Sequence, residues 1–138
     1  MEEQFLVDKS ALARFGKPDV RDVLQPWHRR GLLRLCGAVV IEVLYSAQSK
    51  SDADQVRRWL SGFGWLYMPD EVWDRALEVQ AALIKAGSWR AVSLPDLVIA
   101  ATAERHGVTV LHYDGDFDII AAVTGQPTRW VVPRGTAD

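Results

Sequence analysis

Four carboxylates stand where this chain would otherwise place core. Asp8 ends the apolar run Phe5-Leu6-Val7, Glu42 interrupts Val39-Val40-Ile41 and Val43-Leu44, Asp96 opens Leu97-Val98-Ile99-Ala100-Ala101, and Asp114 follows Val108 to Tyr113. Acidic side chains are almost never fully buried unless something pairs with them. If the four converge in space they repel one another unless a cation holds them. Hard oxygen ligands with no thiolate and little imidazole suit Mg²⁺ or Mn²⁺. Such a site commonly acts on a phosphodiester, so the leading expectation is a metal-dependent nuclease.

Each aspartate also has a purely structural explanation. An aspartate at a helix N-terminus accepts hydrogen bonds from otherwise unpaired amides and complements the helix dipole, and Asp8, Asp96 and Asp114 all sit at or near expected helix starts. Glu42 escapes that account, because it lies in mid-helix among apolar neighbours, where an unpaired carboxylate is costly or shifts its pKa upward. Ser10 can hydrogen-bond Asp8 or cap its own helix, and the cap is the expectation adopted here. The run Asp114-Gly115-Asp116-Phe117-Asp118 fails as a calcium loop, since Ile119 stands where glycine is needed and the closing glutamate is absent. His28, His106 and His112 lack zinc-site spacing.

The elements that must position these acids alternate along the chain. Strands are expected at Gln4–Val7, Leu32–Cys36, Trp65–Met68, Val108–His112 and Arg129–Val132, and helices at Ser10–Phe15, Asp19–Arg30, Ala38–Ala47 and Phe117–Val123. Pro26 should bend or end the second helix. Ser51-Asp52-Ala53-Asp54 reads as a further helix start, and Pro69-Asp70-Glu71 opens a helix closed by Gly87. In that helix Val72, Trp73, Ala76, Leu77, Val79, Gln80, Leu83 and Ile84 follow the rhythm of one buried face. Pro95 opens the helix that Gly107 ends. The alternation predicts an α/β fold with a mainly parallel sheet covered on both faces, in which ligands gather at the carboxyl ends of the strands.

At 138 residues the chain is read as one domain, residues 1–138, with 49% hydrophobic and 25% charged residues. No apolar stretch is long enough to span a bilayer, and the start lacks a signal-peptide pattern, so a cytoplasmic location is expected. Sixteen basic against eighteen acidic residues give a net charge of −2, so nucleic acid would have to be bound locally. Arg14, Lys17, Arg21, Arg29, Arg30 and Arg34 make the first quarter basic, although each alone reads as part of a solvated helix face. Cys36 reads as a small buried apolar position. Six tryptophans are many for one small core. Some should face a partner, while Trp65 and Trp73 are expected inside.

Taken together, Leu6-Val7-Asp8-Lys9-Ser10-Ala11, Ile41-Glu42-Val43-Leu44-Tyr45-Ser46-Ala47, Pro95-Asp96-Leu97-Val98-Ile99-Ala100-Ala101 and Val110-Leu111-His112-Tyr113-Asp114-Gly115-Asp116-Phe117 carry a specific likeness. The chain resembles the PIN-domain ribonucleases, and among them the VapC toxins of bacterial VapBC toxin–antitoxin pairs, over nearly its full length. The family's four acidic positions map to Asp8, Glu42, Asp96 and Asp114, with Asp116 an additional acid. Lys9 stands where the family more often has threonine. The resemblance implies a PIN-like three-layer α/β/α sandwich, an endoribonuclease dependent on Mg²⁺ or Mn²⁺, a homodimer, an RNA substrate and inhibition by a cognate VapB-like antitoxin. Two rival readings are a catalytically inactive PIN-like RNA-binding module and a small-molecule phosphatase. Metal-dependent cleavage of RNA separates the first from the nuclease, and turnover of a phosphomonoester without RNA identifies the second.

Overall fold

Three consecutive apolar residues, Phe5–Val7, form β1, which is buried on both faces as a central parallel strand must be. The computed structural model describes residues 2–138. In chain order the remaining strands are β2 (Leu33–Leu35), β3 (Gly64–Trp65), β4 (Thr109–His112) and β5 (Thr128–Trp130). They lie side by side as β3-β2-β1-β4-β5, and every pairing is parallel. The helices are α1 (Lys9–Leu12), α2 (Pro18–Arg29), α3 (Gly37–Tyr45), α4 (Lys50–Leu60), α5 (Glu71–Ala86), α6 (Leu94–His106) and α7 (Asp116–Thr124), with a 3-10 turn at Trp89–Ala91. The result is the expected three-layer α/β/α sandwich, with its sheet wholly rather than mainly parallel.

From β1 the chain adds β2 on one side, and β4 later takes the place on the other side. The switch point between β1 and β4 is closed by the Asp8 amide donating to the Leu111 carbonyl at 2.9 Å. In parallel sheets of this kind the crevice outside that point is where a ligand fits. Leu6 pairs in register with Arg34 of β2 and Val110 of β4, so the residues following β1 and β4 emerge at one edge.

The helix that crosses this edge is α6. Asp96 to Ala103 are all buried, and the run of small residues Ala100, Ala101, Thr102 and Ala103 lets the helix lie close to its neighbours. Ser93 caps it, Pro95 occupies its first turn, and Gly107 ends it at φ 67°, a left-handed conformation that costs glycine least. Gly87 ends α5 in the same way.

Several sequence expectations shift. β3 stops after Trp65 and β5 after Trp130, because the neighbouring strands run out: the last bonds are Leu66 N–H to Leu35 O and Val131 N–H to His112 O, each 2.8 Å. Pro26 neither ends nor truncates α2, which continues to Arg29. Lying in the last turn, it forfeits only the bond to the Asp22 carbonyl, while Trp27 beyond it stacks on Phe5 at 4.5 Å. α4 is capped by Ser49, earlier than the expected Ser51 start.

The face of α5 is narrower than its periodicity suggests. Val72, Ala76, Val79 and Leu83 are buried, whereas Trp73 (49%), Leu77 (65%) and Ile84 stay exposed and Gln80 is also exposed. Trp65 is likewise 47% exposed, so neither tryptophan expected in the core is there. β3 is an edge strand, and α5 packs on α6 and α7 along one side while its other side is left exposed. Cys36 is fully buried as anticipated, and burial pushes its thiol pKa up.

Candidate metal centre

Asp8 leaves β1 and becomes the N-cap of α1. Its Oδ2 accepts from the Ser10 amide at 2.9 Å and from the Ser10 hydroxyl at 2.6 Å. Ser10 therefore serves Asp8 rather than capping its own helix, and its Oγ in turn accepts the Tyr113 amide at 2.8 Å. That single hydroxyl ties the end of β1 to the end of β4. The other Asp8 oxygen, Oδ1, is buried and has no hydrogen-bond partner.

Asp96 arrives on the first turn of α6 in a reciprocal capping box with Ser93, the two bonds being 3.3 and 3.4 Å. The aspartate is 6% exposed. Asp114 follows β4, and its Oδ1 accepts the Asp116 amide at 2.9 Å, shaping the turn into α7. The Asp114 amide donates to Nδ1 of the fully buried His112 at 3.1 Å. His112 is held neutral, with its pKa lowered to about 4 by burial, which leaves Nδ1 able to accept that bond. Its ring lies against Phe117 and Trp130, so this histidine is part of the core. Thus each aspartate performs the structural task anticipated for it with part of its carboxylate, without exhausting the group.

Glu42 reaches the same place from the middle of α3 and is half-buried. Asp8, Glu42, Asp96 and Asp114 all line one cleft of about 260 Å³, together with Lys9, Ser10, Ala13 and Arg14. Asp96, Asp114 and Asp116 bring carboxylate oxygens within 4.8 Å of one another. Asp118, the third acid of the run, is engaged elsewhere by the Trp130 indole N–H, at 3.1 and 3.3 Å from its oxygens.

The electrostatics record the crowding. Burial raises the Asp8 pKa against the lowering effect of Ser10, with a further rise from Asp114. Glu42 is raised by burial and then by the Asp8 charge. Asp96 is pushed up to about 7, first by burial, then by the adjoining Asp116 carboxyl and by Asp8. An all-oxygen donor set, raised carboxylates and one buried oxygen without a donor together fit a hard divalent cation. The structure thus gathers all five acids expected from the sequence around one edge of the sheet. Arg14, expected on a solvated helix face, lines the same cleft, and the Tyr113 amide is tied to it through Ser10. Only their closeness in sequence to Ser10 and Asp114 could have signalled it.

The PIN domain family matches residues 5–123. Ribonuclease VapC21 of Mycobacterium tuberculosis is 46% identical over 138 residues, spanning 99% of this chain and 100% of the relative. The chain belongs to the VapC branch of the PIN domain family. Ribonuclease VapC51 of the same organism is 41% identical, with the full length of both chains covered. In three dimensions this VapC-family fold is similar to the DNA-bound VapBC complex of Salmonella typhimurium, with a TM-score of 0.77 and 17% identity over 95% of this chain and 100% of that one.

Proposed function

We propose that this protein is a toxic metal-dependent endoribonuclease, the toxin of a type II toxin–antitoxin pair, in which Asp8, Glu42, Asp96 and Asp114 hold Mg²⁺ or Mn²⁺ with Asp116 beside them. The observation that carries this reading is the buried Asp8 Oδ1, without a donor in a cleft shared with three other acids. Full-length relatives that are named ribonucleases support it. The whole chain, 1–138, is read as one PIN domain acting in the cytoplasm, and no described helix is long and apolar enough to cross a membrane.

A divalent cation held by these acids would supply Lewis acidity at the scissile phosphate and would lower the pKa of a bound water toward neutrality. The chain's own contribution is positional. Ser10 fixes the Asp8 carboxylate, the capping box fixes Asp96, and His112 fixes the backbone that carries Asp114. Glu42 has no side-chain hydrogen bond or ion pair among the described residues, so one of its oxygens is available to take the proton from the attacking water. Water attack leaves a 5′-phosphate on the downstream fragment.

Two surface features support the proposed partners. A groove of about 210 Å³ between α1, α3 and α4, lined by Leu12, Val43, Val56 and Trp59, adjoins the acidic cleft through Lys9 and Ala13 and suits an apolar helix of a VapB-like antitoxin. Two solved structures of similar fold, from Salmonella typhimurium and Rickettsia felis, are VapBC complexes. On the other side Ile41 and Tyr45 (90% exposed) of α3, with Trp73 and Leu77 of α5, leave an uncovered apolar face suited to a homodimer. The deciding test is cleavage of single-stranded RNA with and without Mg²⁺ or Mn²⁺. Cleavage that persists in chelator, or that is untouched in Asp8→Ala and Asp96→Ala, would rule the reading out.

A further inference from the structure

Arg14 lines the acidic cleft, yet it is paired with none of the acids: among the described residues no carboxylate lies within ion-pair distance of its guanidinium. It is instead held by neutral partners. Nε donates to the Ala137 carbonyl at 2.9 Å, Nη1 donates to the Ser10 carbonyl at 2.8 Å, and the guanidinium carbon lies 4.5 Å from the centre of the Tyr113 ring. The segment that supplies Ala137 is fastened in turn. The Ala137 amide donates to the Tyr113 hydroxyl at 2.9 Å, that hydroxyl donates to Asp138 at 2.8 Å, and Ala137 itself is buried.

This arrangement is unusual for a long basic side chain. Most exposed arginines keep their rotamer freedom and gain little from a partner. Here two carbonyls and an aromatic face fix the guanidinium while leaving it without a direct ion-pair partner and with further N–H groups unused. A fixed cation lining the same cleft as the four acids proposed to hold metal is placed for an anionic group of the substrate. Ser10 makes the coupling tight, since its carbonyl holds Arg14 while its hydroxyl holds Asp8. The same segment carries Arg134, whose guanidinium lies over Trp130 and close to Gly115.

The geometry points to Arg14 as a phosphate-positioning residue that grips an RNA backbone phosphodiester next to the scissile one, with residues 133–138 acting as the strap that holds it through Tyr113. This rests on the endoribonuclease reading and adds to it a backbone contact that the acids cannot make. The alternative occupant, a carboxylate of a protein partner, would be gripped as readily by the same guanidinium, and RNA is favoured because the cation opens onto the metal cleft itself.

The experiment uses a fluorescent oligoribonucleotide and the full chain in chelator, where binding is read without cleavage. Arg14→Ala and Arg14→Gln should weaken binding roughly tenfold and lower the slope of log affinity against log salt by about 0.7, the share of one single-strand phosphate. The melting-temperature rise on adding Mn²⁺ should stay as in wild type, which separates this role from metal binding. Tyr113→Phe, which keeps the ring and removes both strap bonds, should weaken binding several-fold in the wild-type background. In the Arg14→Ala background it should add nothing, since it acts only through Arg14. Wild-type affinity and salt slope in both Arg14 variants would overturn the assignment while leaving the nuclease reading intact. So would Arg14 and Tyr113 effects that simply add. Wild-type protein that neither binds nor cuts RNA would sink both.

Discussion

Ser10 gives both its amide and its hydroxyl to one oxygen of Asp8 and leaves the other oxygen buried without a donor. A carboxylate held by one oxygen and empty at the other is oriented but unsatisfied, which is the state a metal ligand needs before its cation arrives.

Asp8→Asn should therefore separate folding from metal binding. Asparagine can still accept from Ser10, so the fold should persist, and removal of a buried charge facing Glu42 and Asp114 should raise the melting temperature of the metal-free protein at pH 8. The rise on adding Mg²⁺ or Mn²⁺ should fall to a small fraction of the wild-type value. Differential scanning fluorimetry in chelator and in a metal series measures both. An undiminished metal response would remove Asp8 from the centre.

Stability of the metal-free protein should depend on pH in a defined direction. The Asp8, Glu42 and Asp96 pKa values lie above their unfolded values, Asp96 reaching about 7. Protons are thus bound more tightly in the folded chain, so the stabilisation is complete below about pH 4 and is lost as pH rises through about 7. Denaturant melts in chelator should show lower stability at pH 8 than at pH 5, and the stabilisation given by Mn²⁺ should be larger at pH 8. Flat stability across this range would contradict the crowding of charge.

Induced expression should slow bacterial growth. Asp96→Ala should relieve this while keeping a folded protein, although loss of its capping bonds should cost about 1 kcal/mol. End-mapping of cut RNA should find 5′-phosphates on downstream fragments. A 2′,3′-cyclic phosphate would exclude attack by water.

His112→Leu should test the support beneath Asp114. The substitution keeps an apolar bulk between Phe117 and Trp130 but leaves the Asp114 amide without its acceptor, at a cost of about 1–3 kcal/mol. Urea melts give the stability loss, and calorimetric titration with Mn²⁺ should show weaker binding than in the wild type. Unchanged metal affinity would confine His112 to the core.

Leu77→Arg tests the uncovered face of α5. Light scattering should give a mass near two chains for the wild type at micromolar concentration and near one for the variant, with similar melting temperatures in dilute solution. A wild-type mass near one chain would count against the dimer.

Much of the scaffold was legible because its signals are local. Pro95 and Gly107 mark α6 at its two ends, and the apolar runs before Asp8 and Asp114 mark β1 and β4, so Asp8 and Asp114 could be placed at one edge of a parallel sheet. Capping and metal ligation do not exclude each other. A carboxylate has two oxygens, and Asp8 uses one of them to cap α1. The helical rhythm of α5 marked apolar positions correctly but could not tell which would find a neighbour, so Trp73 and Leu77 remained outside.

By itself the sequence determined the order of strands and helices, the carboxylates that follow β1 and β4 or lie within α3 and α6, and the hard-cation chemistry those groups share, since all of these depend on residue type and short spacing. Only the tertiary structure decided that Arg14 meets Ala137 across 123 positions. Such a contact depends on which side of β1 the strand β4 docks, and that choice is made by packing of the whole sheet rather than by any residue near either partner.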